Sequence, residues 1–130
     1  MIRFAALTVL LAVAMPARAQ FPACSAEMTQ PEINDCSHRE YMKTDAKLNR
    51  LYAQIRNQLA DSKTQQALVA AEKAWIAYRD SECDFETIDS AGGSIRPMEL
   101  AECLNNKTLA HIAELKRQLD CAEGDLTCAH

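Results

Sequence analysis

In the stretch AWIAYRDSEC, residues 74–83, Trp75, Ile76, Arg79 and Cys83 recur at spacings that place them on one face of a helix. That face is apolar except for Arg79. A guanidinium withdrawn from water without a partner is costly, so the stretch calls for a carboxylate opposite it. The preceding segment holds one in the matching kind of position. Tyr41, Leu48, Tyr52, Ile55 and Leu59 make a second helical stripe, and Asp45 falls inside it.

Working outward, the first helix opens at Thr29-Gln30-Pro31-Glu32. Thr29 serves as a cap, Pro31 suits a first turn, and Glu32 completes a capping box. The helix is expected to run to about Ala60, with a turn at Asp61-Ser62-Lys63. The second helix spans residues 64–88 and carries Leu68, Ala71, Trp75, Ile76, Arg79, Cys83 and Phe85 on its face. The run DSAGGSIR, residues 89–96, breaks the pattern and reads as a loop. The third helix begins near Pro97 and ends near Asp120, with Leu100, Leu104, Thr108, His111, Ile112, Leu115 and Leu119 along its face. No segment alternates as a strand would. Short turns between three helices predict an all-α, up-down-up three-helix bundle.

A register follows from the turns. Counting outward from Ser62 sets Asp45 level with Arg79, Leu48 with Ile76 and Tyr52 with Glu72. Counting from between Gly92 and Gly93 sets Cys83 level with Glu102, whose neighbour is Cys103. The expectations are a buried Asp45–Arg79 ion pair and a Cys83–Cys103 disulfide. Cys36 lies level with Ile88 at one end of the bundle, and Cys121 lies level with Thr64 at the other. These levels are ~36 Å apart at the helical rise, whereas the alpha carbons of a disulfide lie within ~7 Å. Cys121 is therefore assigned to Cys128, and Cys24 to Cys36.

Residues 1–19 carry a separate message. Arg3 precedes an apolar run over residues 4–14, and Pro16 and Ala17-Arg18-Ala19 follow. This is the three-part pattern of a cleavable secretory signal, with cleavage after Ala19 and a mature domain of residues 20–130. The apolar run is shorter than the ~20 residues that span a bilayer, so no stable membrane insertion is expected after cleavage. All six cysteines lie in the mature part. An even number in an exported domain of this size reads as disulfides. No Cys-x-x-Cys pair occurs and the three histidines are scattered, so neither a metal nor another cofactor is expected. The expected location is periplasmic or secreted.

The chain has a formal net charge of −4, and the signal removes two arginines and no acid. With no basic run, nucleic acid is excluded as a partner. A basic protein partner would be attracted, with steering that salt weakens.

His111 falls level with Trp75 and Asn49, about one helical turn from the Asp45–Arg79 level, and Asp, Arg and His so near one another raise the question of an enzyme. An Arg-paired carboxylate has a lowered pKa, which suits neither a general acid nor a base near neutral pH. No Ser or free Cys has a base in reach and no glycine-rich phosphate cradle occurs. The reading is therefore no catalytic residue and no enzyme, with His111 as a core histidine held by a hydrogen bond. Tyr41, Tyr52 and Trp75 are assigned to the core and Tyr78 to the surface. The loop is polar, hinged by glycine and pinned at its base by Cys83–Cys103. Asp89, Ser90, Ser94 and Arg96 are the candidate partner-binding residues, the bland alternative being a plain connector.

These residues together resemble a known family. Thr29-Gln-x-Glu32-Ile-Asn-Asp-Cys36, Asp45-x-x-Leu48-Asn49-x-x-Tyr52, Ala74-Trp75-Ile76-x-Tyr78-Arg79-Asp80-x-x-Cys83 and Cys103-x4-Thr108 look like the LprI-like family, the lysozyme inhibitor LprI-like N-terminal domain. The resemblance covers nearly all of the mature chain, from about Cys24 to Leu119. One departure is His111, where the family has Arg three residues after that Thr. The resemblance implies a helical, disulfide-bonded extracytoplasmic domain and an inhibitor of lysozyme-type muramidases. Occlusion of the enzyme cleft is the expected mechanism. The alternative is a non-inhibitory envelope interaction module.

Overall fold

A computed structural model describes residues 24, 27–121, 124, 125 and 128 of the chain. The signal expected over residues 1–19 lies outside the described residues. Three helices follow one another: α1 (Gln30–Gln58), α2 (Ser62–Glu86) and α3 (Arg96–Leu119). A single 3-10 turn, Ile88–Ser90, sits between the last two. The described residues hold no strand, and no described helix is long and apolar enough to cross a membrane.

Each helix starts where its local chemistry satisfies the first free amides. At α1, the Thr29 backbone N–H and hydroxyl both donate to Glu32 Oε2, at 2.7 and 2.6 Å. The Thr29 contacts hold the Glu32 carboxyl below its ordinary pKa. Asp61 caps α2, with Oδ1 accepting from the amides of Lys63 at 2.8 Å and Thr64 at 3.0 Å. This cap draws Ser62 and Lys63 into the helix. The connection is therefore Leu59-Ala60-Asp61, slightly earlier than the turn expected from sequence. Leu59 turns extended there and sinks into the core.

The bundle has two unlike halves. Near the α1–α2 turn, Leu48, Leu51, Ile55 and Leu59 of α1 pack with Ile112 and Leu115 of α3, and Leu68, Trp75 and Leu119 flank them. Toward the glycine loop the buried residues change character: Cys36, Ser37, Tyr41, Cys83, Ala101, Asn105 and Thr108. The close approach of α1 to α3 accounts for most of the packing, while α2 stands further off. Small buried side chains on α1 and α3 permit that approach, and the spacing of packed helices follows the side chains between them.

This arrangement shifts the faces expected from pairwise counting. Leu51 is buried and its neighbour Tyr52 only half-buried, because α1 turns its centre toward α3. On α2 the inward face is Leu68, Glu72, Trp75, Arg79 and Cys83. Ala71 is exposed, Ile76 is 38% exposed and Phe85 is 72% exposed. Leu48 is buried opposite α3, and Ile76 is not its core partner.

Three disulfides are present: Cys24–Cys36 and Cys83–Cys103 in the polar half and Cys121–Cys128 after α3, with alpha carbons 5.8, 5.6 and 6.1 Å apart. The second bridge spans 20 residues of chain and contributes ~3 kcal/mol in the chain-entropy model. It supplies in the polar half what the leucine cluster supplies in the other.

The packing separates two isoleucine-sized positions. Truncation of Leu48 to alanine is expected to cost ~2–5 kcal/mol in denaturant unfolding. Ile76→Ala should cost clearly less, since its side chain is partly exposed and lies outside the core cluster.

Candidate functional site

Arg79 sits at the junction of the three helices. Its Nη1 lies 3.2 Å from Asp45 Oδ1 on α1 and 3.4 Å from Thr108 Oγ1 on α3. Nε and Nη2 both reach Asp80 Oδ1 at 2.9 Å. The guanidinium carbon lies 5.1 Å from the Trp75 ring centroid and 5.7 Å from that of Tyr41, within the range of a cation–π contact. Burial works against the charge, but bonding to Asp80, and then to Asp45, outweighs it and raises the Arg79 pKa. Burial likewise pushes the Tyr41 phenol up. Asp45 is further fixed by Asn49, whose side-chain amide donates to Oδ2 at 3.0 Å. Asp45 is thus held by Arg79 at one carboxylate oxygen and by Asn49 at the other.

A second buried pair lies next to the first. His111 Nε2 is 2.8 Å from Glu72 Oε2, with side chains 12% and 11% exposed. Nδ1 is 3.4 Å from Glu114 Oε2. The imidazole stacks on Trp75, with centroids 3.9 Å apart and planes 12° from parallel. Burial alone would lower the histidine pKa. The hydrogen bond and charge of Glu72, then those of Glu114, outweigh it and leave His111 above the ordinary value. Trp75 thus lies against both the Arg79 guanidinium and the His111 imidazole. Sequence counting placed His111 beside Trp75 but missed Glu72. The available signal was its position four residues after Leu68 and seven before Arg79, on the inward face of α2.

The glycine loop is a chain of tight turns. Ser90 N–H donates to Thr87 O, Ala91 N–H to Ile88 O and Gly93 N–H to Ser90 O, all within 3.2 Å. Thr87 is buried, and its hydroxyl donates to Cys83 O at 2.8 Å. Gly92 takes a positive φ of 79°, a conformation that favours glycine. The Asn34 amide on α1 donates to Ser94 O at 2.9 Å, tying the loop to the first helix. Arg96 Nη2 pairs with Asp84 at 3.0 Å.

Beside the loop runs a groove of about 570 Å³ between the end of α2 and the start of α3. Glu86, Asp89, Glu99 and Glu102 line it, with Ile95 and Met98 among its apolar walls. Of the four loop candidates, Asp89 and Ser90 line this groove and Ser94 and Arg96 do not. Glu86 is also 3.0 Å from Lys107. No group of three or more His, Cys, Asp or Glu side chains suited to a metal ion occurs among the described residues.

Two stability experiments address the buried charges. Arg79→Ala is expected to cost ~3–5 kcal/mol, because it strands carboxylates and empties the three-helix junction. Asp45→Ala should cost less, since Asp80 and the two rings remain on Arg79. For His111, a raised folded pKa stabilises the protein below the unfolded value of ~6.5, and that stability is lost as pH rises through the folded pKa. The unfolding free-energy difference between wild type and His111→Gln should therefore be largest in mild acid and shrink on raising the pH. Fluorescence of Trp75, the one tryptophan of the chain, should follow the same titration in the wild type only.

The chain matches the family model "Lysozyme inhibitor LprI" over residues 22–115. It is also 34% identical over 132 residues to an uncharacterized protein of Rhizobium meliloti (strain 1021), an alignment covering 91% of this chain and 95% of that protein. No solved structure matches it. With its all-helical fold, its disulfides and a family match over most of its length, this chain belongs to the LprI lysozyme inhibitor family.

Proposed function

We propose that the protein is an exported inhibitor that binds a basic lysozyme-type muramidase and covers its substrate cleft. Membership of the LprI lysozyme inhibitor family carries this reading. The chemistry of the chain supports it. Three disulfides suit the oxidising conditions of the periplasm or the outside medium. A net charge of −4 favours encounter with a basic enzyme. Arg79 pairs with Asp45 and His111 with Glu72 inside the bundle, which supports a structural role for these charges and a protein that acts by binding.

The glycine loop is the part of the scaffold assigned to the enzyme, with Asp89, Ser90, Ser94 and Arg96 as its contacts. Its turns, its tie to Asn34 and the Cys83–Cys103 bridge at its base pre-organise it. A segment ordered before binding loses less entropy on docking.

The oxidised protein, mixed with lysozymes of several types, should slow lysis of cell-wall suspensions by at least one basic type. The effect should weaken as salt is raised, and Asp89→Lys should reduce it. Absence of both binding and inhibition at micromolar concentration across all types would retire the reading.

A further inference from the structure

We infer that the enzyme-facing surface is centred beside the loop, on Phe85, Ile88 and Ile95, and that it receives a basic protein surface carrying a shallow apolar depression. The inference rests on the reading of this protein as a binder of a basic enzyme and names the face that does the binding.

Three observations carry it. First, large apolar side chains are left in water at this end: Phe85 is 72%, Ile88 58% and Ile95 41% exposed. They occur within eleven residues of sequence, whereas the remaining exposed large apolar residues are spread along the helices. Grouped exposed apolar side chains mark interaction surfaces, and single ones do not. Second, the acidity of the chain is concentrated here. Between Arg79 and Lys107 there are seven acids and three bases, Arg79, Arg96 and Lys107, which pair with Asp80, Asp84 and Glu86. The remaining excess of four acids equals the formal net charge of −4 for the whole chain. Third, acid and apolar groups alternate. Glu86 and Asp89, which line the groove, flank Phe85 and Ile88 in sequence, and Ile95 lines the groove itself.

Interfaces combine these parts in a regular way. Aromatic and aliphatic anchors supply affinity at the centre of the patch. Charges around them raise the association rate and set the orientation. Phe85, in the last turn of α2, and Ile88, at the start of the 3-10 turn that follows, serve as the anchors. The groove, with Asp89 and Glu99 on its walls, takes a lysine or arginine side chain of the partner. A polysaccharide-binding cleft bordered by basic residues offers the complementary shape and sign. A neutral or acidic partner leaves the carboxylates desolvated without compensation.

The test uses the oxidised full-length protein and two probes. The first is a basic lysozyme that the wild type inhibits, together with the same lysozyme after succinylation of its lysines. The second is a short synthetic peptide alternating lysine and leucine, followed by backbone amide NMR. Phe85→Ser/Ile88→Ser is expected to weaken lysozyme binding at least tenfold while circular dichroism and Tm stay near wild type, as both side chains are exposed. Asp89→Asn/Glu99→Gln should lower the association rate and flatten its salt dependence. Tyr78→Ser, at an exposed position along α2, should bind as wild type. Succinylation should abolish binding. The peptide should shift resonances of residues 85–99.

If the Phe85/Ile88 variant binds and inhibits as wild type does, this face is wrong and the lysozyme reading stands. If no lysozyme is bound, that reading falls, and the peptide still decides the face. Shifts confined to residues 85–99 uphold it, and shifts elsewhere or none overturn it.

Discussion

The Arg79 guanidinium is the point at which the three helices meet. It rises from α2, reaches Asp45 on α1 and Thr108 on α3, and lies against the rings of Tyr41 and Trp75. A planar group with five donors can satisfy several partners at once, which a lysine cannot do. Its position also explains why α2 stands off from the other helices. Arg79, Trp75, Glu72 and His111 occupy the space that small side chains leave closed between α1 and α3. A buried ion pair is weak evidence for net stability, because desolvation offsets much of the attraction. What this one does supply is register: sliding α2 by a turn would strand a guanidinium and a carboxylate together.

The rest of the bundle is arranged around that junction. On one side, a small leucine and isoleucine cluster closes the α1–α2 turn. On the other, the buried groups are mostly small or polar, and Cys83–Cys103 and Cys24–Cys36 hold the structure. A domain of this length has a modest apolar core, and cross-links are the usual supplement. The same bridge and the successive turns beyond it give the glycine end a fixed shape. His111 belongs to this logic as well: it is paired with Glu72 and stacked on Trp75.

The proposed binding face lies apart from the framework. Leu48, Arg79 and Cys83 are buried, with Asp45 and Trp75 half-buried beside them. The acid surplus and the exposed apolar side chains lie at the glycine end, outside that interior. A family's scaffold can be shared while the surface it carries changes from member to member.

Much of the framework was legible in the sequence because it depends on local and pairwise facts. Capping at Thr29, the turn near Asp61, the glycine break and the 3.6-residue stripes each follow from a few neighbouring residues. Two turns then set one register, and that register brings Asp45 to Arg79 and Cys83 to Cys103. Counting between adjacent helices cannot reveal what a third helix does. Only the tertiary structure decided that α1 packs mainly on α3, that Leu51 is buried in place of Tyr52, and that Ile76 and Phe85 face outward. It also decided that Glu72 meets His111, a contact between residues 39 apart on helices whose relative rotation no local pattern specifies. The physical reason is common to all of these: helical periodicity specifies a face only to within a stripe, and the packing of three bodies selects the angle within it.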